Sequence, residues 1–233
     1  GGVSKQNYKS LNCSFTNGDH FKNVFENYRI IKNIIRLNNL ANLKQIHSNE
    51  VHIIQRFDDL NLAPEADGLV TKLKQIGLCI LTADCSPILF FEEKKNIIGA
   101  CHAGWRGALG GIIESTVKLM CDYGATIENI NCAIGPCIGK ESYEVGLEFM
   151  DKFIEHSNDN NKFFKPSSIS GKFFFDLSSY TFCRLEATGV SQISQLDFDT
   201  CSDQDRFFSY RRYMVNSEED FGRGISLIGI TDK

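Results

Sequence analysis

Apolar residues recur at helical spacing through Phe21, Val24, Phe25, Tyr28, Ile31 and Ile35. With Asp19 ahead of them as a capping residue, the spacing predicts a helix over about 20–36. A second helical period runs through Leu109, Ile112, Ile113, Thr116, Val117 and Met120 and ends near Gly124. Between these two the pattern changes to short apolar runs of strand length. Ala41–Ile46 and Val51–Arg56 read as strands around a turn at His47–Glu50. Ile76–Thr82, Ile88–Glu92, Asn96–His102 and Ile130–Ile134 read as four more. Val145–His156 reads as a helix with Leu147, Met150, Phe153 and Ile154 on its apolar side.

Ser157–Gly171 is rich in Asn, Ser and Lys and reads as a long surface loop. Beyond it the pattern predicts a strand at Lys172–Leu177, then a helix at Ser178–Thr188 capped by Ser178 or Ser179. Strands at Gln192–Leu196 and Ile225–Ile230 complete the set. Strands stand on both sides of the loop and do not alternate strictly with helices. The expectation is therefore one α/β (α+β) domain over residues 1–233, with mixed β-sheets flanked by helices, and not a purely parallel doubly wound sheet.

Of the 233 residues, 42% are hydrophobic and 23% charged, which excludes a disordered or collagen-like chain and leaves material for a sizeable core. The net charge of -4 offers no general basic face, so no nucleic-acid partner is expected. Apolar runs such as Gly77–Leu81 and Ile88–Phe91 are too short to cross a bilayer, so no membrane partner is expected either. No charged segment followed by an apolar stretch opens the chain as an export signal would. The nine cysteines are odd in number and contain no CxxC pair, which points to free thiols in a reducing cytoplasm. Most of them, Cys79, Cys121 and Cys183 among them, read as small buried hydrophobes.

Four segments carry candidate chemistry. His102 ends a strand and leads into Ala103-Gly104-Trp105-Arg106-Gly107 and a helix. Backbone N–H groups at Gly104–Gly107 suit a phosphate, and Arg106 adds a bidentate grip; the alternative is a tight turn that needs its glycines. Cys85, in Thr82-Ala83-Asp84-Cys85-Ser86-Pro87, lies between two apolar strands; Asp84 reads either as a group orienting a ligand or as a turn cap. His47 stands at a turn after Gln45-Ile46, where a surface histidine is the plain alternative. Cys137 occupies the glycine-rich turn Gly135-Pro136-Cys137-Ile138-Gly139, which suits either close backbone approach to a ligand or simply a turn. If the strand ends converge, His47, Cys85 and His102 offer two imidazoles and a thiolate to Zn²⁺, with a fourth position open as in catalytic zinc sites.

The segments Gly1–Ser4, Leu11-Asn12, Gln45–His47, Ala66–Thr71, Thr82–Pro87, Cys101–Gly107, Ala133–Gly139, Tyr143–Val145 and Phe208–Arg212, in this order, resemble the YfiH/YlmD family. Its members are labelled multicopper polyphenol oxidoreductases or laccase-like proteins. The resemblance implies a single α/β domain and a metal site, usually zinc, on His47, Cys85 and His102. It implies purine nucleoside phosphorolysis of adenosine, inosine and methylthioadenosine, together with adenosine deamination. It also implies, for some bacterial members, editing of peptidoglycan precursors that carry the wrong amino acid. The partners would be purine nucleosides and phosphate, with the oligomeric state left open. Two departures stand out: the family's Asn-Arg pair reads Asn27-Tyr28-Arg29 here, and its Thr-Gly-Arg reads Phe221-Gly222-Arg223.

Four functions compete on these grounds. The first is a zinc-dependent purine nucleoside enzyme, with Arg106, Arg211, Arg212 and Arg223 as candidates for the anion grip, and Gly104, Gly107 and Cys137 in the turns about the substrate. The second is a Cys–His amide hydrolase built on Cys85 and His102, which would suit precursor editing. The third is a copper oxidase, which ranks behind zinc because His20, His52 and His156 cannot supply the further imidazole-rich cluster that a multicopper enzyme needs. The fourth is a non-catalytic binding protein.

Overall fold

The computed structural model describes residues 1–232, and in them the alternation of apolar faces resolves into four layers. The helices are α1 (Phe21–Ile35), α2 (Trp105–Gly110), α3 (Ile112–Asp122), α4 (Leu147–His156), α5 (Leu177–Thr188) and α6 (Tyr210–Asn216). The strands are β1 (Asn39–Ala41), β2 (Val51–Ile54), β3 (Gly68–Thr71), β4 (Ile76–Thr82), β5 (Ser86–Glu92), β6 (Ile97–Ala103), β7 (Ile130–Ile134), β8 (Glu144–Gly146), β9 (Phe164–Pro166), β10 (Lys172–Phe175), β11 (Gln192–Gln195) and β12 (Gly224–Gly229). They form a six-stranded sheet in the order β11-β7-β5-β6-β3-β2 and three-stranded sheets in the orders β1-β4-β12 and β8-β10-β9. Parallel pairs (β1 with β4, β2 with β3, β7 with β11) stand beside antiparallel ones, which is the mixed α/β domain that the pattern predicts.

Side chains alternate across a strand, so each sheet faces two layers at once. In β6, Ile97, Cys101 and Ala103 join the core shared with α3 and α5, while Ile98 and Ala100 face the small sheet. In β4, Ile76, Leu78 and Ile80 meet that second face, and Leu81 turns outward to Val24, Tyr28 and Ile31 of α1. The order is thus α1, small sheet, large sheet, α3 and α5. Double-sided burial explains why β4 and β6 read as continuous apolar runs. Gly99 makes the close helix contact possible, since a Cβ there would lie 2.8 Å from Met120 Sδ of α3.

Several element ends differ from the pattern. Of the first expected strand, Ala41–Ile46, only Ala41 lies in β1; Lys44 makes a lone bridge to Glu65, and Gln45 binds the Leu81 backbone with its side chain, donating to the carbonyl and accepting from the N–H at 2.8 Å each. The second helical period breaks at Gly111 (φ 95°) into α2 and α3. The helix expected from Val145 starts at Leu147, because Val145 pairs with Phe173 in the third sheet. The expected loop over 157–171 contains a 3-10 helix (Asn158–Phe163) and β9. Asp176, and not a serine, caps α5 by accepting the Ser179 N–H. The strand β3 and helix α6 carry too short a period to be read from sequence.

All nine cysteines are free, and among the described residues no helix is long and apolar enough to cross a membrane. Much of the aromatic content is gathered behind the third sheet. Phe153 is fully buried there, with ring centroids at 4.7 Å from Phe175, 5.0 Å from Tyr180 and 5.2 Å from Phe149. Phe149 in turn lies 4.8 Å from Trp105, so this cluster backs the segment after His102. Phe153→Ala is expected to cost about 3–5 kcal/mol in urea unfolding; a loss below about 1 kcal/mol would show that the cluster does not hold the domain together.

Candidate active site

The two-sheet arrangement brings three separate segments to one place. His102 lies one residue from the end of β6, on the strand face that Ile98 and Ala100 turn to the small sheet, and is 3% exposed. Cys85 follows the turn that carries the chain from β4 of one sheet to β5 of the other, where Asp84 takes φ 88°. His47 stands exposed on the loop before β2, with φ 61°. One ligand atom from each of the three lies within 4.8 Å of the others, a group that could hold a metal ion. Gly104 must be small, since a Cβ would lie 2.9 Å from both Cys85 Sγ and His47 Cδ2.

Asp67 organises this triad. It is fully buried just before β3, and Oδ1 lies 2.8 Å from His102 Nδ1. Burial opposes its charge, but hydrogen bonds from His102 and Ser48 overcome this and hold the carboxyl down at about 2. An ionised carboxylate only accepts, so Nδ1 carries the proton and Nε2 is left for the cleft. Asp67 Oδ2 accepts from Ser48 N at 2.6 Å, Ser48 Oγ at 2.9 Å and Ile46 N at 3.1 Å, the residues on either side of His47.

Burial alone would raise the Cys85 thiol. The His102 charge and hydrogen bonds from His102 and His47 outweigh it and lower the thiol to about 6. Burial likewise opposes the His102 charge, but the Cys85 thiolate and Asp67 raise it to about 9. Without a metal the pair is therefore a thiolate and an imidazolium at neutral pH. By contrast, burial pushes Cys137 up to about 12 and Cys79 higher still.

The triad opens into a cleft of about 740 Å³, which falls among typical ligand sites of roughly 300–1,000 Å³. Arg106, Arg211 and Arg223 line it together with Trp105, Tyr143, Phe149, Tyr210 and Phe221. Residues 1–231 match the family described as multi-copper polyphenol oxidoreductase laccase. The chain belongs to this laccase-like YfiH family. It is 32% identical over 216 residues to a purine nucleoside phosphorylase of Rickettsia prowazekii, covering 88% of each chain. To the adenosine deaminase RL5 of an unknown prokaryotic organism it is 34% identical over 196 residues, 80% of this chain and 75% of that one. The crystal structure of a Bacillus licheniformis hypothetical protein YfiH superposes with a TM-score of 0.90 at 27% identity, covering 99% of this chain and 90% of that one.

In this YfiH-family cleft the arginines are held by backbone and hydroxyl oxygens. Arg211 donates to the Glu144 carbonyl at 2.7 Å and lies over the Tyr143 ring at 5.2 Å. Arg223 donates to Ser14 Oγ at 2.6 Å and Thr16 Oγ1 at 3.2 Å. Arg106 is exposed and stacks on Trp105 at 4.4 Å. Among the described residues none of the three forms a salt bridge with a carboxylate. Their charge faces the cleft, whose wall also includes Glu144 and Glu148.

Of the other sequence candidates, Gly107, Cys137, Arg212 and Arg29 lie apart from the cleft wall, whereas Asp84 reaches it. Gly107 is buried, 3.0 Å (as a Cβ) from the Ser48 carbonyl. Cys137 is 4% exposed, and its carbonyl accepts Thr200 N at 3.0 Å. Arg212 donates to the carbonyls of Thr200, Cys201 and Phe207. Arg29 pairs with Glu26 on the open side of α1. Asp84 is a structural hub: its carboxylate accepts from Thr200 Oγ1 at 2.7 Å, Ser209 Oγ at 2.9 Å and Arg211 N at 2.6 Å. The turn after His102 opens a helix of only six residues, too short for a strong N-terminal dipole, so the arginines are the better anion grip. Asp67, Gln45 and Tyr143 were not singled out by sequence; an acid directly before an apolar strand, as at Asp67, was the available signal.

In metal-stripped protein, iodoacetamide should alkylate Cys85 with a half-maximal rate near pH 6. The sign follows from the lowered thiol: the thiolate persists to neutral pH and is lost as pH falls through that value. Peptide mass spectrometry reads the site. A midpoint at about 8.5, that of an ordinary thiol, would show that the histidines do not stabilise the thiolate.

Proposed function

We propose that the protein is a zinc-dependent purine nucleoside enzyme that cleaves adenosine, inosine and methylthioadenosine with phosphate and also deaminates adenosine. The observation that carries the reading is the meeting of two imidazoles and a thiolate with three carboxylate-free arginines in one open cleft. The relatives named for both activities support it.

The donor set fits zinc. A tetrahedral ion with bonds of about 2.0–2.3 Å asks its N and S donors to stand about 3.3–3.6 Å apart. Cys85 Sγ and His47 Nε2 lie 3.9 Å apart, within a small side-chain shift of that. When bound, zinc would supply a Lewis acid and lower the pKa of water at its open position. The chain supplies the rest. Asp67 keeps the His102 proton on Nδ1, so that Nε2 offers a lone pair. Because His102 is protonated without metal, loading should release a proton. Arg106, Arg211 and Arg223 hold phosphate by charge-assisted hydrogen bonds. The aromatic walls shield the base from water, Tyr210 being half exposed at the mouth. Copper would meet the same donors, but among the described residues this is the one cluster tight enough for an ion, which leaves a multicopper site without further centres. Nine free thiols suit a reducing cytoplasm.

A second reading is favoured by one observation, the thiolate–imidazolium pair of Cys85 and His102. This is the charge state of a cysteine nucleophile with its acid, as an amide hydrolase editing mis-made peptidoglycan precursors would need. Bound zinc would occupy the thiolate and oppose this chemistry.

Chromatography of adenosine with zinc-loaded protein separates these readings. Adenine formed only with phosphate is the phosphorolysis product, and inosine formed without phosphate is the deamination product. Adenosine left intact under both conditions would overturn the nucleoside reading and turn attention to amide substrates. Cys85→Ala and His102→Ala should each lose both zinc and turnover, and zinc retained in either variant would refute the assigned ligands.

A further inference from the structure

We infer that Asp67 is a positioning residue that sets both histidines of the triad at once, and so governs metal affinity through a single side chain. The inference rests on the metal reading above. One oxygen holds His102, and the other holds the backbone and hydroxyl of Ser48 and the backbone of Ile46, which flank His47. His47 is exposed, and its ring has Cys85 Sγ at 3.9 Å, the His102 ring at 4.8 Å between centroids and Gly104 beside it, with no side-chain hydrogen bond other than that to Cys85 among the described residues. Its place is therefore set through its backbone, and Asp67 clamps that backbone on both sides. The φ of 61° at His47 lies in the left-handed region, uncommon for residues other than glycine though open to histidine, and the bonds to Asp67 on either side hold it there. The Asp67 carbonyl also accepts His102 N at 2.7 Å, so main chain and side chain hold the same histidine.

An asparagine has one acceptor oxygen where the aspartate has two. Asp67→Asn can serve His102 or the Ser48–Ile46 N–H groups, and must turn an NH₂ toward the other set of donors. One histidine is then released in either flip. Outer-shell partners of metal ligands usually matter by about 10–100-fold in affinity, and a residue serving two ligands should reach the upper end, roughly 100-fold.

The test is zinc competition against a chromophoric chelator, with cobalt absorption as a second readout. Asp67→Asn should bind zinc about 100-fold more weakly. Its cobalt form should keep the thiolate charge-transfer band of Cys85 but change the ligand-field bands that report imidazole geometry. Ser48→Ala removes one of the three clamping bonds and should lose affinity a few-fold on wild type but add nothing on Asp67→Asn. A merely structural role would leave the cobalt bands unmoved and the two losses additive. Wild-type affinity and cobalt spectrum in Asp67→Asn would overturn the inference. If Asp67→Asn fails to fold, Ser48→Ala decides alone: a few-fold loss supports the inference and none overturns it. Wild-type protein that binds neither zinc nor cobalt would overturn the metal reading, and this inference with it.

Discussion

A carboxylate taken fully out of water must be matched by donors, and the matching of Asp67 determines where the rest of the site can lie. Its partners come from the end of β6 and from the loop before β2, and its own position is fixed by the start of β3. Three chain segments are thus tied by one charge. The same bonds stabilise the charged form of Asp67, which then favours the charged form of His102, which in turn favours the thiolate of Cys85. Polarity is passed along a line from the buried interior to the cleft. A hydrophobic core could place these elements to within a side chain's width, but only directional bonds fix which nitrogen of His102 faces outward.

Asp84 plays the corresponding part for the C-terminal segment. The chain changes sheets at Ala83–Cys85, and the left-handed turn there leaves the Asp84 carboxylate buried. Thr200, Ser209 and the N–H of Arg211 satisfy it, and burial still raises its pKa above the ordinary carboxylate value. The turn that presents Cys85 therefore also anchors the segment that presents Arg211. The metal candidates and the anion grip are coupled through adjacent residues, although the arginine lies far along the chain. Gln45 closes the third side by pairing with Leu81 at the end of β4.

This explains what was legible in the residues and what was not. A strand buried on both faces along most of its length, such as Ile76–Thr82, declares itself as an apolar run, and Ile130–Ile134 does so by alternating buried positions; the ends of both agree with the pattern. The short strands β3 and β8 are held by neighbours distant in sequence, and β9, paired with the nearby β10, spans only Phe164–Pro166, so no local period marks them. His47, Cys85 and His102 stood out because imidazoles and a thiol at strand ends are chemically unusual, and the structure brings them together. Asp67 does not, and Asp84 suggests only a ligand-orienting group or a turn cap, because the value of a buried acid lies in its partners, and those come from other parts of the chain. Arg212 shows the converse. By charge it resembles Arg211, but its guanidinium is spent on three backbone carbonyls.

The overall charge of -4 would by itself repel phosphate, and it offers no general basic face. The local arrangement reverses this. Two of the cleft arginines are oriented by neutral oxygens and the third by an aromatic ring, so each keeps its charge while losing its freedom. Glu144, Glu148 and the buried Asp84 line the same cleft, and the Asp84 carboxylate is taken up by hydroxyl and backbone donors rather than by a guanidinium group. The three guanidinium groups nevertheless bring positive charge together in one cavity. A chain of net negative charge can thus carry a local concentration of the opposite sign, and that concentration follows from three separate segments converging on the same cleft.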